Sequence, residues 1–330
     1  MHPLKRNTTR KLKQLNCSPF SKTKRDIKHS CFTKESLVLL KSAYNKHHAN
    51  DTSKQIHSTD QREIWDQLNV RLPNCEKETC WLNQLNDTNI QKQMEQLLFA
   101  PMQPEEWRKD PNTWLSNYDI LNVLDQYEIA YPSFLFIGPT PIDFDEIKNN
   151  KCIWEELCDF SLQKQYNKNI RKIGVIFNLD KHDESGSHWV SLFIDLDERF
   201  IFYFDSTGMG TPDEIKKLIN RIKQQGKKMT TPIRFKMVTS NKEHQLENTE
   251  CGMYSLFFLI TMLTREINGE KKSTRELFKI FTGKKPVGKK TRKNTDIGGN
   301  TELVNEPKMQ SRIPDELMEY FRKVYFNAHS

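Results

Sequence analysis

The chain has 330 residues, of which 36% are hydrophobic and 28% charged, enough to bury a core in one large domain or two modest ones. Met1-His2-Pro3-Leu4-Lys5-Arg6 leads into no apolar run, and the longest apolar stretch, Met253 to Leu263, is about half a bilayer span. A soluble intracellular protein without membrane insertion is expected.

Seven cysteines are an odd number, scattered without a disulfide framework, which points to buried free thiols in a reducing compartment. Cys75 and Cys80 have four residues between them, and Cys152 and Cys158 have five. Neither pair has zinc-knuckle spacing, so no metal and no cofactor is expected. The net charge of +8 is uneven. Residues 1–30 carry nine Lys/Arg against Asp26 alone, and residues 271–293 carry ten against Glu276, so the remainder is acidic. These tracts read as solvated arm and loop, open to weak nucleic-acid contact but without the interleaved aromatics of a single-strand platform.

Along the chain, residues 1–30 lack hydrophobic periodicity and read as a disordered basic arm. Phe32-Thr33-Lys34-Glu35 opens a helix whose Leu37, Leu40 and Tyr44 recur at helical spacing. Ile64, Trp65, Leu68 and Leu72 make a second helix. Trp81, Leu82, Leu85 and Ile90 begin a third that runs to Leu98. A helical region thus covers 31–105, closed by a linker around Pro101, Pro104 and Pro111. Residues 106–330 have an α/β texture. A helix is predicted over 116–128, and strands over Lys172–Asp180, Ser187–Asp195 and Arg199–Phe204, the last two joined by a two-residue turn at Asp197-Glu198. Pro212 starts a helix that Gly226 ends. A strand follows over Ile233–Thr239, then a buried helix over Cys251–Ile267. Residues 283–300 read as a loop insert, and a last helix spans 314–326.

A thiol nucleophile must reach its thiolate near neutral pH, which a helix N-terminus and an imidazolium both favour. Cys251 stands at a predicted helix start beside Gly252, a setting the other six cysteines lack. His188 heads one strand and Asp205 ends the next, so a hairpin brings them to the same open end, where a carboxylate can orient the imidazole. Gln245, six residues before Cys251 in a polar loop, can offer an amide N–H beside the Cys251 backbone N–H as an oxyanion donor.

The order His188-Trp189, Asp205, Gln245 and Glu250-Cys251-Gly252 resembles the active-site signature of the SUMO-specific and adenovirus-type cysteine protease clan. Glu250 stands where relatives commonly have Asp. The resemblance implies an α+β fold with a papain-like, SUMO-protease-like core, a central sheet flanked by helices, preceded here by a helical region. It also implies a Cys251-His188-Asp205 triad with Gln245 as oxyanion donor. Clan members hold a Gly-Gly segment between two tryptophans. Trp189 matches one. Trp114-Leu115-Ser116-Asn117 resembles the motif of the other, with Ser116 for Asn and Asn117 for Asp. Cys31-Phe-Thr, Cys75-x4-Cys80-Trp81-Leu82 and Phe136-Ile-Gly-Pro139-x-Pro141-Ile-Asp143-Phe144 look like the polyprotein-processing protease of large cytoplasmic DNA viruses, such as that of African swine fever virus. In that family the enzyme cleaves core or capsid polyproteins after Gly-Gly-X during virion maturation and is packaged in the particle. The expected setting is therefore the virion and the host cytoplasm, and the expected partner a viral polyprotein. Two other readings stand beside this one: a deconjugase acting on SUMO or ubiquitin conjugates, and a catalytically idle nucleic-acid-binding module. Gly298-Gly299 is a candidate self-cleavage site.

Overall fold

The computed structural model describes residues 11–283 and 312–329. It divides into two compact units, Met1–Gln103 with Val324–Ser330, and Pro104–Lys323. Most of the loop expected over 283–300, and with it Gly298-Gly299, lies outside the described residues.

The first unit is helical: α1 (Pro19–Lys24), α2 (Lys34–His47), α3 (Gln61–Arg71) and α4 (Thr88–Leu98). Its helix starts are written in the sequence. Thr33 caps α2 in a reciprocal capping box with Ser36, and Asp60 and Asp87 cap α3 and α4. The predicted third helix is in fact broken. Residues 78–84 form a 3-10 turn, and Asp87 restarts the chain as α4. Phe32, Leu37, Leu40, Ile64, Leu68 and Trp81 make the core, with the Phe32 and Trp81 rings stacked. Glu78 is buried there, accepting from the Cys31 backbone N–H at 2.8 Å and from Trp65 Nε1–H at 2.6 Å.

The expectation of a disordered arm over 1–30 fails for its described part. Ser18 caps α1 with Pro19 in its first turn, Cys17 and Ile27 are buried, and the Ser18 backbone N–H donates to the Leu98 carbonyl. Charge counting missed this because the apolar contacts fall at irregular spacing.

The expectation of free thiols also fails. Cys17–Cys31, Cys75–Cys80 and Cys152–Cys158 are disulfides, and Cys251 alone is free. The four- and five-residue gaps of two pairs carry no disulfide signature, and pairing of the first depends on a loop that the sequence does not reveal.

The second unit is built on a five-stranded sheet in the order β1-β4-β5-β6-β7, with β1 (Phe134–Pro141), β4 (Lys172–Asn178), β5 (Trp189–Asp195), β6 (Phe200–Phe204) and β7 (Lys236–Thr239). The outer pairs are parallel and the inner strands antiparallel. A small hairpin, β2 (Ile147–Lys148) and β3 (Lys151–Cys152), precedes helices α6 (Glu155–Cys158) and α7 (Leu162–Asn167). One sheet face, including Val175, Leu192, Ile194 and Ile201, packs under Ile215, Leu218 and Ile222 of α8 (Asp213–Lys228). On the other lies α9 (Cys251–Thr264), buried on nearly every side, with Phe258 against Phe202 and Phe204. That a helix reads as hydrophobic all round follows from its being enclosed. α5 (Asn117–Ala130), the two-stranded β8 (Glu266–Ile267) and β9 (Glu270–Lys271), α10 (Thr274–Phe281) and α11 (Asp315–Tyr325) complete the order.

Several expectations shift. β1, a strand bulged between Ile137 and Thr140, went unpredicted, as did the hairpin at 147–152. The β5–β6 connection spans four residues, with Arg199 left-handed at φ 59° and Asp195 Oδ1 accepting from the Asp197 and Glu198 backbone N–H groups. Gly226 does not end α8. It sits inside the helix because a Cβ there would lie 2.8 Å from the Ile233 carbonyl oxygen. Part of the basic tract at 271–283 is helical, since Ser273 and Glu276 form a capping box and Leu277 and Phe281 are buried.

Opening the Cys17–Cys31 loop, with its sequence separation of 14, frees the unfolded chain. The double variant Cys17→Ser/Cys31→Ser should lose about 3 kcal/mol in urea unfolding at unchanged slope. Thiol titration of the unfolded, unreduced wild type should return a single thiol.

Candidate active site

β5 and β6 pair with Ser191 opposite Phe204 and Asp195 opposite Phe200. Continued one step, that register sets Asp205 across from Val190, a diagonal step from His188. The side chains meet there. His188 Nε2 lies 2.8 Å from Asp205 Oδ1. Asp205 is fully buried, and the same oxygen accepts from the Thr207 backbone N–H at 2.9 Å and hydroxyl at 2.8 Å. The carboxylate is thus locked before it meets the ring. With Nε2 engaged, Nδ1 is left for the hydrogen bond between His188 and Cys251.

The ring's proton affinity follows from opposed effects. Burial disfavours the imidazolium, yet the hydrogen bonds to Asp205 and Cys251, with the attraction of both groups, overcome it and raise the His188 pKa to about 9. The ordinary value is near 6.5. A raised folded-state value means that the charged ring stabilises the fold fully below about pH 6.5. That contribution is lost as pH climbs through about 9.

Cys251 is the first residue of α9, and no side chain caps this helix start. The first intrahelical bond runs from the Tyr254 N–H to the Glu250 carbonyl, so earlier N–H donors remain at the thiol. Gly252 packs closely: a Cβ there would lie 3.1 Å from Leu115 Cβ and 3.3 Å from Trp189 Cδ1, so those side chains would have to shift. Trp189 is buried, and its Nε1–H donates to the Leu115 carbonyl at 3.2 Å. Trp114, next to Leu115, is 40% exposed. Among the described residues no ring contact joins Trp114 to Trp189, and the structure does not bring the two rings together.

Gln245 is buried and fixed by its neighbours. Its Oε1 accepts from the Ser206 hydroxyl at 2.7 Å, and its backbone N–H donates to the Ser206 carbonyl at 2.9 Å. The hydroxyl decides which way the amide points. One Nε2–H goes to the Glu247 carbonyl, leaving the second uncommitted.

Residues of the C-terminal segment tie these parts together; Asp315 and Arg322 belong to a stretch that resembles the viral proteases, but the sequence alone assigns them no role. Arg322 bonds both oxygens of buried Glu250, the N-cap of α9, at 2.9 to 3.2 Å. It also donates to the carbonyls of Thr249 and Thr113, and its guanidinium lies 4.3 Å over the Trp107 ring. One side chain therefore fastens the turn before Cys251 and the turn before Trp114. Burial pushes the Glu250 carboxyl up, and Arg322 opposes that shift. Asp315 does the like for the Gln245 loop, accepting from the Leu246 N–H, the Tyr254 hydroxyl at 3.0 Å and Arg312. The signal for Arg322 was present. It falls in the apolar stripe Met318, Phe321, Tyr325 of α11, and an arginine there needs a buried acid.

Among the described residues no cluster of His, Cys, Asp and Glu could hold a metal ion, and no helix is long and apolar enough to cross a membrane. Arg322→Met should cost about 3–5 kcal/mol in urea unfolding, because Glu250 is left buried and unpaired. Adding Glu250→Gln should recover part of that loss.

Residues 148–287 match the Ulp1 protease family, C-terminal catalytic domain. A thiol protease of Acanthamoeba polyphaga mimivirus is 29% identical over 254 residues, 72% of this chain and 82% of the relative. The SUMO-1 cysteine protease of African swine fever virus (isolate Kenya) is 28% identical over 229 residues, 63% of this chain and 82% of the relative. In fold, the crystal structure of the African swine fever virus protease superposes with a TM-score of 0.55 over 97% of this chain and 98% of that one, at 20% identity. The α+β architecture expected from the sequence is that of this structure. Over residues 148–287 the chain matches a Ulp1-family catalytic domain, and it is a cysteine peptidase homologous to these viral SUMO-protease-like enzymes.

Proposed function

We propose that this peptidase matures virions by cutting structural polyproteins after Gly-Gly-X, in the particle and the host cytoplasm, with Cys251 as nucleophile. The observation that carries the reading is His188 held 2.8 Å from buried Asp205, with Cys251, first residue of an uncapped helix, among the groups that raise the ring's proton affinity. In this mechanism the Cys251 sulfur attacks the carbonyl of residue X. The Cys251 N–H and the free Nε2–H of Gln245 receive the oxyanion. His188 gives its proton to the leaving amine, and water then hydrolyses the thioester with His188 as base. Trp189 and Trp114 flank the glycines, where flat rings leave no room for a side chain. The viral relatives support a protein substrate. The three disulfides suit a packaged enzyme in an oxidised particle.

Purified protein given the precursors of its own virus should yield new termini after Gly-Gly-X, and Cys251→Ala should yield none while keeping its fold. Turnover of folded SUMO or ubiquitin conjugates, with short Gly-Gly-X peptides untouched, would instead establish a deconjugase. Rates should fall above about pH 9, where His188 gives up its proton. In Cys251→Ala the ring loses one hydrogen bond and one attraction, so its NMR titration midpoint should move down.

A further inference from the structure

The loop between β7 and α9 carries Gln245, and the residue before it, His244, is fully buried. The His244 backbone N–H donates to the Ser206 carbonyl at 2.7 Å, the same carbonyl that receives the Gln245 N–H. Its own carbonyl accepts from Arg312 and, at 3.3 Å, from the Tyr254 hydroxyl. The ring uses both nitrogens on backbone groups from elsewhere in the chain. Nδ1 lies 3.0 Å from the Ile313 backbone nitrogen, and Nε2 lies 2.8 Å from the Phe281 carbonyl oxygen.

These two partners dictate the state of the ring. A backbone N–H can only donate, so Nδ1 accepts and is bare. A carbonyl can only accept, so Nε2 carries the proton. The ring is therefore neutral and in one tautomer. Burial favours that state, the Phe281 carbonyl opposes it, and the nearby cations Lys242 and Arg312 reinforce it, so the proton affinity lies below the ordinary histidine range. The nearby acid, Asp315, is engaged by Arg312, the Tyr254 hydroxyl and the Leu246 N–H. Phe281 is the last residue of α10, so its carbonyl has no partner within the helix, and Ser240 Oγ and the ring supply it. Ile313 stands just ahead of α11. One ring thus joins the end of one helix and the approach to another to the loop that bears Gln245.

We propose that His244 is a positioning residue for the peptidase reaction: as a neutral ring protonated on Nε2, it holds the loop that aims the Gln245 amide at the oxyanion. This rests on the reading of Gln245 as the oxyanion donor. A second proton on Nδ1 would expel the Ile313 N–H, so a charged ring and the ordered loop exclude each other.

The full chain tests this with and without substrate. Nitrogen NMR of the wild type at neutral pH should show His244 with a protonated Nε2 and a bare Nδ1. The opposite tautomer, or a charged ring, would overturn the proposal, and this reading stands whether or not any variant folds. His244→Phe keeps the bulk of the ring and loses both bonds, so the Gln245 side-chain amide resonances should move. In His244→Gln, whose amide can both accept and donate, they should move less. On a quenched Gly-Gly-X peptide, His244→Phe should lower kcat about a hundredfold, the scale of one lost oxyanion donor, with KM within about twofold. Combined with Gln245→Ala, it should cost no more than Gln245→Ala alone, since both act through one amide. A further loss in that background, or Gln245 resonances unmoved by His244→Phe, would overturn the positioning role. Wild-type turnover by Gln245→Ala, with the resonances still moving in His244→Phe, would sink the oxyanion reading and leave His244 as the anchor of the loop. A hundredfold loss in Gln245→Ala with full kcat in His244→Phe would do the opposite.

Discussion

A carboxylate and a guanidinium taken out of water together hold the catalytic unit in register. Glu250 and Arg322 are both nearly inaccessible, and each would be costly alone. Because Glu250 directly precedes Cys251, the pair fixes where α9 begins, and so where its uncapped N–H groups point. Because Arg322 also holds the Thr113 carbonyl, the chain approaching Trp114 is fixed by the same contact. Replacing such a pair by apolar groups could preserve stability. The specific gain from charge is direction, since a planar guanidinium has several donors at set angles.

In the proposed mechanism the reactive groups are few and come from distant stretches of chain. The sheet supplies His188 and Asp205 through one antiparallel register. The loop after β7 supplies Gln245, oriented by Ser206 on the far side of the same carboxylate turn. The helix supplies the sulfur. Each group has a partner behind it that fixes its position: Thr207 for Asp205, Ser206 for Gln245, Arg322 for the Cys251 turn. Packed and bonded neighbours of this kind are what the proposed mechanism needs to keep an imidazole beside a thiol.

Much of this was legible beforehand, for physical reasons. The strands at 189–195 and 200–204 are dense in aromatic and branched residues, and α9 is apolar on every side, so the elements bearing His188, Asp205 and Cys251 declared themselves. β1 did not. It carries two prolines and a bulge, which erase the period-two pattern. The disulfides were illegible because pairing depends on where loops lead. Arg322 and Asp315 were hidden by distance: each acts on residues about seventy positions away.

Six sulfurs in bridges and a seventh at the centre of the proposed chemistry place opposite demands on one chain. A nucleophile must stay reduced, whereas the bridges must stay oxidised, so strong reductant protects the first while dismantling the second. One change of redox condition therefore acts on the two sulfur populations in opposite directions, oxidants on Cys251 and reductants on the three bridges.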